Sequence, residues 1–168
     1  MAERISLRDY QRDLAARLRR AESGQVASKL GLQIGDEGWL VDLIDAGEVV
    51  PVPAITAVPL TRPWFKGLTN IRGNLYSVVD FSAFLGGAAA AMGEQSRLLL
   101  ISSRYRTSSA LLVNRSLGLH HPEHLQLRAG GTGAPWLKAE YSSADGRLWK
   151  ELDVPHLVQH PDFLDVGN

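Results

Sequence analysis

Residues 48–85 read EVVPVPAITAVPLTRPWFKGLTNIRGNLYSVVDFSAFL, and this stretch decides the fold. Its first half holds Pro51, Pro53, Pro59 and Pro63. Proline lacks the backbone donor and clashes with the preceding turn, so no helix runs through here. Short extended pieces joined by turns remain, with Pro63 to Gly67 read as one such turn. Arg72 stands between Asn70, which tolerates tight turns, and Gly73, which permits close backbone approach, so a turn presents the arginine. Leu75 to Phe81 then reads as a strand, and Phe81 to Leu85 as a helical turn that Gly86 and Gly87 stop. The four alanines between Gly87 and Gly93 belong to a surface loop.

Working outward, the flanks carry the same strand grammar. Upstream, Leu30, Leu32 and Ile34 alternate with Lys29, Gly31 and Gln33, which predicts a strand with one buried face. Gly35 to Gly38 is turn chemistry, and Trp39, Val41 and Leu43 resume the alternation as a hairpin. Downstream, a second hairpin joins Leu98–Ile101 to Ala110–Val113, and Gly130 to Gly133 is read as a flexible loop. A third hairpin joins Leu137–Tyr141 to Leu148–Leu152 through Asp145-Gly146, a strong hairpin signal. Val154 to Gln159 closes the chain with a short helix. Many short strands, with helices only at the margins, predict a mainly β protein of barrel or sandwich type.

The N-terminus follows a different period. Ser6 caps a predicted helix over 6–21, with Asp9 three residues on and Ile5 stapled to Tyr10. Leu7, Tyr10, Leu14 and Leu18 make one narrow apolar stripe, and Arg8, Arg12, Arg17, Arg19 and Arg20 crowd the other faces. The stripe packs on the following domain, docks a partner, or contacts an anionic membrane surface. Residues 1–26 are therefore read as a helical extension and linker, and 27–168 as the main domain.

Composition narrows the function. Net charge is zero, with 18 basic and 18 acidic side chains, whereas proteins that neutralise many phosphates carry a basic excess. Nucleic acid is not expected as a partner. With no cysteine, disulfides, thiolate catalysis and sulfur-ligated metals are excluded. The polar, arginine-rich N-terminus is no secretory signal, and no apolar run approaches the ~20 residues of a spanning helix. A cytoplasmic protein without membrane insertion is expected.

Glu48, Pro63, Gly67, Asn70-Ile71-Arg72-Gly73 and Val78-Val79-Asp80 together resemble the central signature of the CheW-like domain family. The similarity continues through Leu111–Asn114, Leu117–Leu119 and Trp136–Leu157, and covers about residues 27–160. Asn114 stands where the family has Asp, Ser77 where Pro is common, and Ala139 where Gly is common. The resemblance implies two small five-stranded, SH3-like β-barrel subdomains, intertwined side by side with an apolar groove between them. It implies a non-catalytic adaptor coupling chemoreceptors to a CheA-type histidine kinase. The kinase's regulatory domain pairs with one barrel face, and the receptor's helical cytoplasmic tip enters the groove. The helical extension is similar to that of PilI-type coupling proteins, which serve type IV pili and twitching motility. Partner-binding positions implied are Glu48, Asn70, Arg72 and Gly73. An arginine offers a rigid fork of donors, suited to a partner's carboxylates or carbonyls. The internal alternative is that Arg72 pairs with Asp80 and pins the strand.

Rival chemistry centres on His120, His121, Glu123 and His124, with His156 and His160 four apart. Imidazoles at such spacing suit zinc, so the alternative function is a His-rich metal-binding module or metallohydrolase. Pro122 forbids a regular helix there, and a solvated loop is the simpler reading. No nucleophile elbow, phosphate loop or catalytic carboxylate pair is found. No catalytic residue, cofactor or metal is expected.

Overall fold

The computed structural model describes residues 11–12, 14–15, 28–128 and 133–167. Residues 11–12 and 14–15, inside the helix predicted over 6–21, are helical. The rest of the predicted helix over 6–21, and most of the 130–133 loop, lie outside the described residues.

The chain builds two sheets. β1 (Lys29–Ile34) and β2 (Glu37–Asp42) form the first hairpin, turned at Gly35 with φ 60°. The chain then leaves to make β3 (Ala46–Pro51), β4 (Phe65–Ile71), β5 (Asn74–Asp80), β6 (Arg97–Ile101) and β7 (Ser109–Val113), which form a five-stranded sheet in the order β3-β6-β7-β5-β4. It returns with β8 (Arg115–His120), β9 (Leu125–Arg128), β10 (Leu137–Ser143) and β11 (Leu148–Leu152). These complete a six-stranded sheet in the order β8-β1-β2-β11-β10-β9. The two sheets are thus intertwined, and each holds one parallel crossover, β2 with β11 and β5 with β7. The mainly β, two-unit architecture agrees with the expected fold. One sheet has six strands rather than five because Leu125–Arg128 pairs onto β10 as an edge.

Among the described residues from Ser28 onward, three short α-helices punctuate the sheets: α1 (Phe81–Phe84), α2 (Val154–Gln159) and α3 (Pro161–Leu164). Each begins on a side chain that accepts a backbone N–H: Asp80 from Ala83, Asp153 from His156 and His160 from Asp162. Among the described residues no helix is long and apolar enough to cross a membrane.

The five-stranded sheet is buried on both faces, and β7 is buried along its whole length. That is why its core strands read as continuous apolar runs rather than alternations. Val79, Leu99, Leu111 and Val113 face a core shared with Leu30, Leu32, Trp39, Val41 and Leu152 of the other sheet. Val78, Leu98, Leu100, Ala110 and Leu112 face a second core closed by Val50, Val52, Ile55 and Ile71.

Two local readings need correction. Gly67 sits not in a turn but within β4, at a bulge with φ 132°, because Thr56 pairs with Leu68 and its carbonyl passes beside Gly67. A Cβ there would lie 2.0 Å from the Thr56 oxygen. Strand β1 is buried on both sides, not one, and Lys29 is only 8% exposed. Its ammonium meets Asp42 at 2.6 Å and also Glu151, while Lys138 reaches Asp42 at 3.1 Å and Tyr141 donates to Glu151 at 3.0 Å. This lobe therefore encloses a charge-balanced cluster of two cations and two carboxylates.

Candidate functional site

Arg72 and Gly73 form the two-residue turn between β4 and β5, with Ile71 paired to Asn74. Their φ values, 50° and 84°, are both positive, the geometry whose twist matches paired strands. Asn70 locks the turn: its Oδ1 accepts the Gly73 N–H at 2.9 Å. A Cβ on Gly73 would meet nothing, so the glycine is there for its dihedral angle, not for space. Arg72 has no such freedom, and a left-handed non-glycine residue costs about 1–2 kcal/mol. The two-residue hairpin requires that backbone, and it sets the arginine at the tip.

The guanidinium of Arg72 pairs with Glu48, not with Asp80. The alternative pairing fails because Asp80 is fully buried and engaged. Its carboxylate accepts from Ala83 at 3.2 Å and Ala90 at 2.8 Å, holding α1 and the alanine loop, with Lys66 at 3.8 Å. Glu48 stands on the edge strand β3, just past a bulge at Gly47. Both side chains of the Arg72–Glu48 pair are largely in water, at 66% and 48% exposure. Exposed pairs contribute only about 0–1 kcal/mol, so this one does little for the fold. The structure thus brings together all four predicted positions, Glu48, Asn70, Arg72 and Gly73, at one surface.

That surface is one end of the five-stranded sheet, where Glu48, opposite Leu100 in register, stands on the face of the second core. β5 runs from the Arg72 turn to α1, and β3 and β6 place the turn Leu43–Asp45 at the same end as Arg72. Tyr105 ties this turn down through a hydrogen bond to Asp45; burial and then that contact push the phenol up to about 12. Leu43 (42% exposed) and Ile44 (63%) are left bare beside it. Between Glu48, Asn74, Tyr76 and Ser108 lies a shallow depression of about 400 Å³.

At the other end of β5 the aromatics Trp64 and Trp136, which the sequence offers as core plugs or groove walls, gather in one cluster. Phe84 of α1 meets Trp64 at 5.1 Å, Trp136 at 4.9 Å and Phe163 at 5.7 Å between ring centroids. Trp64, Phe65 and Trp136 are half-buried walls there, while Trp39 and Trp149 are core. Three depressions lie at this end, one lined by Gly35 and Leu85, one by Leu85 and Trp136, and one by Trp136 and Trp64. Arg72 lies at the far end of β5 from them.

The histidines form no single set: His121 and His124 meet edge-on at 6.2 Å between ring centroids, and the others turn to separate partners. His120 turns its ring onto Trp149 at 4.5 Å, whereas His121 lies near Ser28 and His124 beside Glu123, both in solvent. His156 pairs with Asp153, and His160 packs edge-on to Trp136. Among the described residues, no three His, Asp or Glu side chains converge as a ligand set would.

Comparison with known proteins supplies the frame for this geometry. The profile of the family described as "CheW-like domain" matches residues 29–162. The chain is 30% identical over 152 residues to Protein PilI of Pseudomonas aeruginosa, covering 87% of this chain and 83% of that one. It is 26% identical over 133 residues to the chemotaxis protein CheW of Thermotoga maritima, covering 77% and 86%. The crystal structure of the scaffolding protein TtCheW from Thermoanaerobacter tengcongensis superposes with a TM-score of 0.69 at 16% identity, over 83% of this chain and 97% of that one.

Proposed function

The chain belongs to the CheW-like domain family, and from that premise we propose that it is a non-catalytic cytoplasmic adaptor. It couples the helical tip of a chemoreceptor to the regulatory domain of a CheA-type histidine kinase. The likeness to PilI over most of both chains favours a chemosensory system serving type IV pili and twitching motility. The functional unit is residues 27–168, with 1–26 as an accessory extension.

One observation carries the reading. Arg72 is presented at a hairpin tip, and its only ion-pair partner among the described residues is another exposed side chain, Glu48. The pair adds little stability, and it lies at the same end of the five-stranded sheet as the bare Leu43 and Ile44. An amphipathic helix needs such a surface: apolar side chains for its buried stripe and a charged pair for its flanks. Asn70 and Gly73 serve by fixing the turn that aims the guanidinium.

Arg72→Ala tests the proposal. Binding of a receptor tip, measured by co-sedimentation of kinase, adaptor and receptor fragment, should fall at least tenfold, with the circular dichroism spectrum unchanged. Normal coupling by the variant overturns the assignment of Arg72.

A further inference from the structure

We infer that the loop between β6 and β7 is a second docking element, whose Arg104 and Arg106 receive the carboxylates of an acidic partner helix seated on Leu43 and Ile44. The inference rests on the adaptor reading and deepens it, by stating the chemistry that the partner presents at this end of the sheet.

Position is the first observation. Residues 102–108 link Ile101 at the end of β6 to Ser109 at the start of β7. Ser103, Thr107 and Ser108 line the depression that also holds Glu48, Asn74 and Tyr76. On its other side the loop meets the turn of bare Ile44. There the Ser102 N–H donates to the Asp45 carbonyl at 2.9 Å, and Tyr105 bonds the Asp45 carboxylate. The loop thus connects the surface of Arg72 and Glu48 with the apolar pair.

Charge is the second. Arg104 and Arg106 are both exposed, and among the described residues neither forms an ion pair. The Arg104 guanidinium lies over the Tyr105 ring, 5.4 Å from its centroid. The carboxylates around the loop are engaged: Glu48 holds Arg72, Asp45 is buried and accepts from Tyr105, and Asp153 caps α2 and meets His156 at 2.8 Å. What the loop offers a partner is two guanidinium forks, the group whose geometry matches carboxylates.

The third is that the backbone carrying them is already set. The Ser102 hydroxyl accepts the Arg104 N–H at 3.5 Å, and the Tyr105 and Arg106 N–H groups return to the Ser102 and Ser103 carbonyls at 3.2 and 3.0 Å. Thr107 and Ser109 share a hydroxyl hydrogen bond of 2.8 Å, and the Ser108 carbonyl accepts the Ser77 N–H at 2.8 Å. A loop fixed in this way has less freedom to lose on binding. An amphipathic helix with Asp or Glu beside its apolar stripe uses both features at once. An anionic membrane is a poorer match, because such contacts gather about 4–8 basic residues and this loop has only Arg104 and Arg106.

The test titrates the full chain with the receptor-tip fragment used for Arg72→Ala. Arg104→Gln combined with Arg106→Gln is compared with Arg128→Gln, since Arg128 is also exposed but stands on β9, an edge of the other sheet. At about 0.05 M salt the double variant should bind about tenfold more weakly, and near about 0.5 M the gap should shrink to about twofold, because exposed charges are screened. Arg128→Gln should bind as the parent does. Should the double variant lose its native circular dichroism spectrum, Arg106→Gln alone reads the same contrast at about threefold. Parental affinity in the double variant, an equal loss in Arg128→Gln, or a loss unchanged by salt overturns this inference and leaves the adaptor reading standing. A parent chain that does not bind the fragment overturns both. Arginine-dependent binding to vesicles of phosphatidylcholine and phosphatidylserine, with fragment binding unaffected by the double variant, assigns the loop to a lipid surface and overturns the inference as well.

Discussion

Lys29→Met should be the most damaging single charge removal in the domain. The side chain is 10% exposed, and it neutralises Glu151, at 1%, and Asp42, at 16%. Methionine fills a similar volume, so packing changes little. What changes is charge: two buried carboxylates would face only Lys138, which is half-exposed and 3.7 Å from Glu151. Removing one partner of a buried pair costs about 3–5 kcal/mol, because the remaining charge stays desolvated. For a domain of this size that corresponds to a fall in Tm of roughly 6–20 °C. Adding Glu151→Gln should return at least half of the loss, since Lys138 and Asp42 remain as a matched pair at 3.1 Å. Urea titration with an unchanged m value reads both differences. A loss below about 1 kcal/mol for Lys29→Met, or a double variant no more stable than the single one, would refute the claim that this lobe depends on internal neutralisation.

Gly67→Ala should cost more than about 2 kcal/mol or prevent soluble expression, because both its φ and the Thr56 carbonyl exclude a Cβ; a native-like urea midpoint contradicts this. Stability should be flat near neutrality and fall at both extremes. Burial opposes the charge on Asp42, but hydrogen bonds and charge from Lys29 and Lys138 hold it below its ordinary 3.8, so its contribution is present above that value and lost as pH falls through the lower folded one. Burial likewise opposes the charge on Lys29, yet Asp42 and Glu151 hold its pKa above 10.5, so its contribution is complete below 10.5 and lost as pH rises through the raised value. Tyr105, pushed up by burial and Asp45 to about 12, contributes below 10 and loses that contribution between 10 and 12. Tyr105→Phe should therefore flatten the alkaline limb of a Tm-against-pH curve and leave the acid limb alone; an identical alkaline limb counts against the Asp45 contact.

The strands were legible because alternation and turn chemistry are local signals. Leu30, Leu32 and Ile34 announce β1, and Asp145-Gly146 announces the turn joining β10 to β11. Period two, however, separates only two faces. It cannot tell solvent from the inside of a second lobe, so Lys29 read as a wet residue although it is buried. Recognising it needs Glu151, 122 positions away, on a strand that reaches β2 only through a parallel crossover. Gly67 failed for a related reason: the feature that requires glycine is the backbone of Thr56, which no spacing rule connects to it. The aromatic cluster around Phe84 draws on four separate segments and left no motif. At the candidate site, the Asn70–Gly73 turn was legible because the lock is three residues long, whereas the Glu48 partner of Arg72 was not, since Asp80 was equally plausible by charge.

The two ion pairs at the heart of these readings differ in a way that sorts structure from recognition. Lys29–Glu151 lies in a low-dielectric lobe, where losing one member strands the other, so its part in the fold accounts for it. Arg72–Glu48 lies in water, where either member is removed at little cost to the fold, yet its arginine tolerates a left-handed backbone to remain at the hairpin tip. The two-residue hairpin accounts for that backbone, whatever side chain stands there. What the arginine adds is a guanidinium held in water, and a partner that desolvates it makes the same charge act at close range in a drier setting. Residues 72 and 48 should accordingly matter to binding far more than to stability, and residues 29 and 151 the reverse.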